Sequence, residues 1–453
     1  MRLAQATLAS LGKDVIRPDY DREGQQTGIV HIGIGAFHRA HQAWYTDRAM
    51  SAGDRNWAIA GISLRSGDVA AQLNPQDGLY TLTERSGAGI QSRLVGAVRA
   101  VLVAPRERDG AIALLAQPHT HIASLTITEK GYCRAADGRL DPALAGEGSV
   151  FALLTAALRA RRAAGSRGLT LLSCDNLAGN GHQLARIMGE YLARHDPSLV
   201  DWFERECACP STMVDRIVPA TTAEDRAGVA ARIGLVDEAA VVTEPFSQWV
   251  IEDRFAGPRP RWESVGAELV SDVAPYETAK LRMLNGAHSA LAYIGLARGY
   301  AFVHEAVGDP SIRPLVERLM RDEAAPTIAK APGQDLVRYA AALLERFAIP
   351  ALNHRLLQIA MDGSQKIPQR WLETLASNQA MGRDCPAILQ GLAAWIRHLR
   401  GCNGPLEDPR KAELAAAAAA GDYFDALFGS KGALRSAWFP GENDRAVVLA
   451  ALR

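Results

Sequence analysis

One short stretch of the sequence combines three side chains that could move a proton and stabilise a negative oxygen. Residues 276–288 read YETAKLRMLNGAH, and helix formers and apolar residues follow in the pattern of a helix. At about 100° per residue, Lys280, Asn285 and His288 fall within an arc of roughly 140° on that helix. A lysine can accept a hydroxyl proton, an amide can donate to a carbonyl oxygen, and an imidazole can orient the group between them.

A second interpretation of this stretch needs no chemistry. Lys280 and Arg282 would be solvated, and His288 would be a hydrogen-bonded histidine of the core. The pattern alone gives the two interpretations equal weight. For the chemical one, Lys280 must lose its proton well below its usual pKa of about 10, which burial in a cleft would favour.

A glycine-containing turn near the N-terminus predicts a dinucleotide site. Two glycines follow a short apolar strand that begins at Gly28, and a helix comes next. Such glycines let the backbone approach a pyrophosphate, whose charge the helix N-terminus stabilises. His38 stands where the usual third glycine would fall, so a plain tight turn explains the pair equally well. A second apolar strand over residues 57–64 has the spacing of a βαβ unit and favours the dinucleotide. The predicted contacts in this turn are Gly33, Gly35, Ala36 and Phe37.

The end of that second strand bears on the choice of dinucleotide. Arg65 and Asp68 both follow it. A carboxylate at this place favours the ribose of NAD, whereas an arginine can accept the extra phosphate of NADP. The sequence therefore predicts NAD without excluding NADP.

Two further predicted strands, over residues 121–128 and 169–173, end in polar residues. Ligands of open α/β sheets bind beyond the carboxyl ends of the strands, so Thr128, Glu129 and Asn176 are site candidates. Asn176 could donate its amide to a substrate oxygen, or it could simply cap a helix or a turn.

The segments that follow these strands complete the N-terminal half. An amphipathic pattern over residues 150–164 predicts the crossover helix that a parallel sheet requires. Farther on, Asp215 and Arg216 stand side by side near a proline, and as a surface pair they would contribute little stability.

The composition bounds the class of protein. The chain has 453 residues, enough for two domains, with 50 acidic and 50 basic residues that give no pull toward nucleic acid or membrane surfaces. No apolar run approaches a transmembrane span, and the first residues contain no apolar signal core. The six cysteines form neither paired CxxC clusters nor a disulfide framework, so no metal site and a reducing, cytoplasmic setting are expected.

From about Pro275 onward, helix signals dominate. Residues 362–370 read as a polar turn with two cations, Lys366 and Arg370, which would bind hydroxyls or a carboxylate if they faced the nucleotide domain. The predicted fold is therefore α/β, with a Rossmann-like dinucleotide-binding domain over residues 1–268 and a mostly α-helical substrate and catalytic domain over residues 269–453.

Taken together, these segments resemble the mannitol dehydrogenase family, which comprises long-chain polyol and sugar-acid dehydrogenases. The resemblance spans most of the chain and is most specific at the Lys-x4-Asn-x2-His spacing that ends at His288. Residues 35–42 and 358–366 resemble the sugar-acid branch. Gln358 stands where mannitol 2-dehydrogenases tend to carry an arginine.

The resemblance implies an oxidoreductase that works without a metal and interconverts D-mannonate and D-fructuronate with NAD. The alternative substrate pair is mannitol and fructose, and a non-catalytic nucleotide-binding regulatory protein is a third, less favoured class. Lys280 would be the general base, Asn176 and Asn285 the oxyanion hole, and His288 the orienting group. The predicted substrate contacts are Asp215, Gln358, Lys366 and Arg370. Neither the oligomeric state nor the physiological direction follows from the sequence.

Overall fold

The computed structural model of the protein describes residues 1–87, 89–135, 137–350 and 354–453. It divides into two compact units, Met1–Ala274 and Pro275–Arg453. The first unit is built on a parallel sheet flanked by helices, and the second is mostly helical. The predicted fold class is confirmed. No helix in the described ranges is long and apolar enough to cross a membrane.

The first unit contains the strands of the protein and nine of its described α-helices. The strands are β1 Thr27–Ile32, β2 Ala58–Ser63, β3 Tyr80–Ser86, β4 Gly89–Val95, β5 Val98–Val103, β6 Ile122–Leu125, β7 Thr170–Ser173, β8 Thr212–Asp215, β9 Val241–Thr243, β10 Gln248–Glu252 and β11 Glu268–Val270. The helices are α1 Ala36–Ala40, α2 Gln42–Ser51, α3 Asp68–Leu73, α4 Ala104–Ala116, α5 Thr128–Gly131, α6 Val150–Ala163, α7 Asn180–His195, α8 Val200–Glu206 and α9 Ala223–Ile233. Short 3₁₀ turns occur at Gln5–Ser10, Asn74–Gln76, Pro197–Leu199 and Trp262–Val265.

The parallel sheet has the strand order β5-β2-β1-β6-β7. The order reverses between β1 and β6, and open sheets bind their ligands at the carboxyl edge beside such a switch point. Both faces are covered: Ile29 packs in one apolar layer, while Val30 and Ile32 pack in the other. The predicted crossover helix is confirmed as α6, which Ser149 caps by accepting a hydrogen bond from the Ala152 amide at 3.2 Å.

Two smaller sheets, which the sequence did not predict as sheets, complete the first unit. In one, β3 pairs antiparallel with β4 and parallel with β9. In the other, β10 pairs antiparallel with β8 and parallel with β11. Asp215, one of the predicted substrate contacts, is the last residue of β8 in the second of these sheets.

The second unit packs its helices around a core that includes Leu291, Trp371 and Trp395. Its α-helices are α10 Ala274–Ala279, α11 Gly286–Ala297, α12 Val303–Gly308, α13 Arg313–Arg318, α14 Leu336–Phe347, α15 Leu356–Ala360, α16 Gly363–Ile367, α17 Glu373–Ala380, α18 Pro386–Leu399, α19 Lys411–Ala419, α20 Tyr423–Phe428 and α21 Glu442–Leu452. Its π-helical segments are π1 Lys280–Asn285, π2 Leu319–Ala324 and π3 Pro368–Leu372, and a 3₁₀ turn spans Ala325–Thr327.

The π-helical segments correct two predictions. The prediction of a polar turn over residues 362–370 was wrong, because α16 and π3 occupy most of that range. Pro368 has no N–H for an α-type hydrogen bond, which gives one reason for the irregular helix there. The arc of about 140° assumed α geometry, and it does not hold where π1 winds with i→i+5 hydrogen bonds. Such π segments occur frequently at functional sites.

Candidate active site

The glycine turn after β1 has the geometry that a close ligand requires. Gly33 lies at φ +93°, and a side chain there would collide with the Thr126 carbonyl oxygen. At Gly35, by contrast, the nearest atom to an added Cβ is the Gly33 carbonyl oxygen at 3.9 Å, so the backbone faces open space. Ala36 and Phe37 follow as the first, half-buried residues of α1. This open backbone fits the pyrophosphate of a dinucleotide.

A stacked pair of histidines fills the space beneath that turn. The rings of His31 and His38 are 3.4 Å apart and nearly parallel, and both residues are fully buried. His31 bonds the Ser124 hydroxyl at 2.8 Å and the Thr126 hydroxyl at 2.9 Å. Burial lowers the pKa of His31 to about 3, so the ring is neutral at physiological pH. His38 thus packs where the usual fingerprint has its third glycine.

A cavity of about 640 Å³ opens beside the carboxyl ends of β2 and β6. Two predicted cofactor residues, Arg65 and Glu129, line it. Asp68, three residues after Arg65, is the exposed first residue of α3. In open parallel sheets the adenosine part of a dinucleotide lies at this edge, so the cavity fits that group.

Thr128 and Asn176 lie at the carboxyl ends of neighbouring strands, as predicted. Predicted strand 121–128 is shorter in the structure because the backbone N–H groups of Ile127 and Thr128 bond the Asp175 carboxylate instead of a strand. Asn176 follows Asp175 directly and is exposed in a bend. Sequence reasoning missed Asp175, although an aspartate two residues after a buried strand is a recognisable signal.

The expectation of a surface pair at Asp215 and Arg216 was wrong, because both side chains are buried. Arg216 donates to the Ala40 carbonyl at 2.6 Å, to the Glu244 carbonyl at 2.9 Å and to the Glu84 carboxylate at 2.5 Å. Arg216 therefore ties several elements together, and Asp215 is held at the buried end of β8.

The residues predicted to carry the chemistry fall on one continuous helical segment of the second unit. Lys280 is the first residue of π1 and Asn285 the last, and both are half-buried. His288 lies in the first turn of α11 and is 7% exposed. The sequence thus placed all three on one helix, and the structure adds the π-helical geometry.

The surroundings of His288 keep its imidazole neutral. The ring lies 4.7 Å from the Phe347 ring and meets His354 edge-on at 5.1 Å. Burial lowers the pKa of His288 well below its usual range, and the charges of His354, Arg346 and Arg370 act in the same direction. Nε2 of His288 is buried without a hydrogen-bond partner among the described residues, so a substrate hydroxyl could bond it.

Arg370 lies close to this group. Its Nη1 atom donates to the Asn285 carbonyl at 3.3 Å and to the Ser289 hydroxyl at 2.9 Å. Burial lowers the pKa of Arg370 to about 10, which leaves it charged at neutral pH. Its Nε atom is buried without a partner, and the described part of the chain provides no carboxylate in ion-pair contact with it.

The other two predicted substrate residues of the second unit, Lys366 and Gln358, differ from Arg370. The Lys366 ammonium donates to the Ile359 carbonyl at 3.3 Å and to the Met361 carbonyl at 2.5 Å. Burial, and then the charge of Arg370, lowers the pKa of Lys366. Gln358 is exposed on α15. Lys366 therefore links α16 to the end of α15 and to the residues between them, whereas Arg370 is adjacent to Asn285.

Within the described ranges, no three His, Cys, Asp or Glu side chains are grouped so that they could hold a metal ion. In the second unit, the site candidates are thus a proton acceptor, an amide donor, a neutral imidazole and a half-buried cation. That set suits the oxidation of an alcohol or the reduction of a ketone.

Comparison with known proteins gives two family models that match the chain. The mannitol dehydrogenase Rossmann domain matches residues 27–264, and the mannitol dehydrogenase C-terminal domain matches residues 272–423. The D-mannonate oxidoreductase of Escherichia coli is 41% identical over 411 residues, which are 87% of this chain and 84% of that protein.

Two solved structures are similar over the whole chain. A substrate-free D-sorbitol dehydrogenase has a TM-score of 0.92 and 33% identity, covering 100% of this chain and 97% of that one. The mannitol 2-dehydrogenase of Pseudomonas fluorescens, in a ternary complex with NAD and D-mannitol, has a TM-score of 0.83 and 36% identity, covering 100% and 95%.

Proposed function

The chain belongs to the mannitol dehydrogenase family, and on that premise we propose that it interconverts D-mannonate and D-fructuronate with NAD. The first unit would bind the coenzyme and contribute Asn176 and Asp215, and the second would supply the proton acceptor and the other substrate contacts. The observation that carries the choice of a sugar acid is Arg370, a half-buried cation next to Asn285 that has no carboxylate partner among the described residues.

The first unit supports NAD as the coenzyme. The open backbone at Gly35 fits a pyrophosphate, and the cavity beside Arg65 and Glu129 fits the adenosine end. A coenzyme held there would supply the acceptor for the hydride that leaves the substrate carbon. An arginine and an aspartate both follow β2, so NADP stays in the test panel.

In the oxidation direction, the neutral amine of Lys280 takes the proton of the substrate hydroxyl. Asn285 donates its side-chain amide to the oxygen as negative charge develops, and the resemblance adds Asn176 as a second donor. His288, kept neutral by burial, bonds a substrate hydroxyl through Nε2 and thereby orients it. In the reduction direction, Lys280 returns the proton.

A carboxylate on the substrate would satisfy Arg370. A guanidinium carries five N–H donors in a planar fork, which matches the geometry of a carboxylate. Arg370 uses Nη1 for Asn285 and Ser289, and its buried Nε has no hydrogen-bond partner in the described part of the chain. Lys366 is less suited to this role because its ammonium already bonds two backbone carbonyls.

The test is a panel of sugar acids and polyols assayed with NAD and NADP by the absorbance of the reduced nicotinamide. We expect D-mannonate with NAD to give the highest kcat/KM. In Arg370→Met, kcat/KM for D-mannonate should fall at least tenfold more than that for D-mannitol. The matched control is Arg282→Met. In the wild type the Arg282 guanidinium bonds the Thr327 carbonyl at 2.9 Å, and Arg282 is not among the predicted substrate contacts. Equal losses on both substrates in Arg370→Met would contradict the carboxylate contact.

Mannitol and fructose form the second candidate pair. The similarity to a mannitol 2-dehydrogenase over the whole chain favours it. The resemblance in the sequence weakens it, because Gln358 stands where mannitol 2-dehydrogenases tend to carry an arginine. A kcat/KM for mannitol above that for every sugar acid would establish this alternative. No NADH formation with any substrate would instead favour a non-catalytic nucleotide-binding protein.

We further propose a cytoplasmic setting and a small-molecule substrate as the partner. All six cysteines are free thiols, which suits a reducing compartment.

A further inference from the structure

The carboxylate of Asp175 binds the segment that follows β6. Its Oδ1 atom accepts the Thr128 amide at 2.8 Å, and its Oδ2 atom accepts the Ile127 amide at 3.1 Å and the Tyr132 hydroxyl at 3.0 Å. Tyr132 in turn bonds the Ser173 hydroxyl at 2.5 Å. Asp175 thus joins the end of β7 to the first turn after β6.

Thr128 has a backbone conformation that needs such support. Its φ of +64° lies in the left-handed region, which β-branched residues rarely adopt. Strain of this kind persists only where the surroundings over-determine it, and it clusters at functional sites. Here the two oxygens of Asp175 hold the amides of Ile127 and Thr128 in place. The held segment contains Thr128 and Glu129, two of the predicted coenzyme contacts.

Asn180 holds the other side of the same bend. Its amide nitrogen donates to the Asp175 carbonyl at 2.9 Å and to the Thr212 carbonyl at 2.8 Å, and its amide oxygen accepts the Thr212 N–H at 2.9 Å. Asn180 is fully buried. It therefore ties the bend that carries Asn176 to β8, which ends at Asp215.

We propose that Asp175 and Asn180 are positioning residues. Asp175 positions the segment that contains Thr128 and Glu129, and Asn180 positions Asn176 relative to Asp215. Neither residue needs to touch the reacting atoms. The inference rests on the proposed function, because it assigns Thr128 and Glu129 to the coenzyme and Asn176 and Asp215 to the sugar.

The cost of a buried carboxylate favours a functional role over a merely structural one. A buried ion without an opposite charge must be offset by hydrogen bonds, and apolar residues of similar volume are often at least as good for folding. The bonds of Asp175 go to one strained turn and one hydroxyl. Hydrogen bonds that hold a strained threonine in place mainly offset that strain, so they add little to the stability of the fold.

The first variant is Asp175→Asn, which keeps the shape but replaces one acceptor oxygen with a donor. We expect the Kd for NADH, from fluorescence titration, to rise at least tenfold. Without coenzyme, amide hydrogen exchange should accelerate at least tenfold at Ile127 and Thr128. The control Asp196→Asn alters a half-buried aspartate directly after α7, where it pairs with the exposed Arg159. It should leave both readouts within twofold of the wild type.

The second variant, Asn180→Ala, should give the opposite division of effects. The KM for the best substrate of the panel should rise at least fivefold and kcat should fall, while the Kd for NADH stays within threefold of the wild type. If the role were merely structural, the Kd for NADH and the KM for the substrate would both rise as the melting temperature fell. Equal changes in NADH affinity and in KM in both variants would therefore overturn the proposal.

Two milder variants keep the proposal testable if Asp175→Asn fails to fold. Tyr132→Phe removes a single donor to Asp175, and the Kd for NADH should rise two- to fivefold. In the Asp175→Asn background, Thr128→Gly should recover NADH affinity in part, because glycine adopts a positive φ without strain. Unchanged affinity in Tyr132→Phe, or no recovery by Thr128→Gly in a folded double variant, would contradict the inference.

The wild-type protein separates this proposal from the proposed function. If the wild type binds no NADH and oxidises no substrate, the proposed function fails. If the wild type binds and turns over but the variants match it, only the positioning proposal fails.

Discussion

The imidazole of His288 stays neutral because burial and the neighbouring charges act in the same direction. A neutral ring can donate from one nitrogen and accept at the other, so it can bond a substrate hydroxyl in either role. The buried Nε2 atom, which has no hydrogen-bond partner among the described residues, is the available position. At the residue scale, the proposed chemistry thus depends on a group whose charge is set by its burial and its neighbours.

Lys280 provides the first prediction. Lys280→Ala should lower kcat by about 10² to 10⁴-fold, the range expected for loss of a general acid or base. NADH should bind with nearly unchanged Kd, because the predicted coenzyme contacts lie in the first unit. Steady-state assays and fluorescence titration measure the two quantities. Loss of NADH binding in this variant would show that Lys280 has a structural role instead.

At the scale of elements, buried polar groups join segments that are far apart in the sequence. Arg216 after β8 bonds Ala40 of α1 and Glu84 of β3, and its guanidinium lies 4.6 Å above the Trp44 ring of α2. Glu323 of π2 accepts the amides of Ala387 and Ile388 in the first turn of α18. Each group satisfies donors or acceptors that would otherwise be buried without partners.

Arg216 provides the second prediction. Arg216→Met should destabilise the protein by about 3 to 5 kcal/mol, because it leaves the Glu84 carboxylate and two carbonyls without their partner. The control Arg85→Met breaks the more exposed pair with Asp225, and its expected cost is about 1 kcal/mol or less. Thermal unfolding of both variants measures the difference. Similar melting temperatures in the two variants would argue against a structural role for Arg216.

Glu323 provides a prediction about pH. Burial raises the pKa of Glu323 from 4.5 to about 7. Between these values the folded state holds a proton that the unfolded state has released, so this group's contribution makes stability fall as pH rises. At about 1.4 kcal/mol for each pKa unit, the loss is at most about 3.5 kcal/mol.

The measurement compares the wild type with Glu323→Gln, which cannot ionise. Calorimetry at pH 5 and pH 8 should show that the melting temperature of the wild type falls relative to that of the variant as pH rises. Because every other titrating group is common to both proteins, the difference isolates Glu323. A constant difference between the two pH values would contradict the raised pKa.

For the whole molecule, the even charge balance bears on the attraction of charged partners, and the burial of the cysteines determines which thiols can react. The chain carries 50 acidic and 50 basic residues, so no strong overall field attracts nucleic acid or anionic membranes. Of the six free thiols, Cys402 is exposed, Cys207 is half-buried and the other four are buried. Burial raises the pKa of Cys207 to about 11, which leaves little of the reactive thiolate at neutral pH.

This arrangement predicts the reactivity of the thiols. Native protein without reductant should react rapidly with one equivalent of a maleimide at Cys402, and Cys402→Ser should abolish that phase. All six thiols should react after unfolding, as counted by mass spectrometry. Fewer than six after unfolding would show that a disulfide forms in solution.

The sequence by itself determined the features that depend on local patterns. Alternating and continuous apolar runs predicted the strands β1, β2 and β7, and the amphipathic pattern predicted α6. The spacing of Lys280, Asn285 and His288 put three candidate groups on one helix. These features follow from neighbours along the chain, which a sequence displays directly.

Only the tertiary structure decided which polar groups are buried and what they bond. Asp215 and Arg216 read as a surface pair, yet they are buried because β10 pairs with β8 from a distant part of the chain. The network of Asp175, Asn180 and Thr128 joins three such segments, and the π-helical winding of Lys280 and Asn285 has no local signal. The physical reason is that burial and hydrogen-bond partners are set by contacts between remote residues, whose energies no single segment contains.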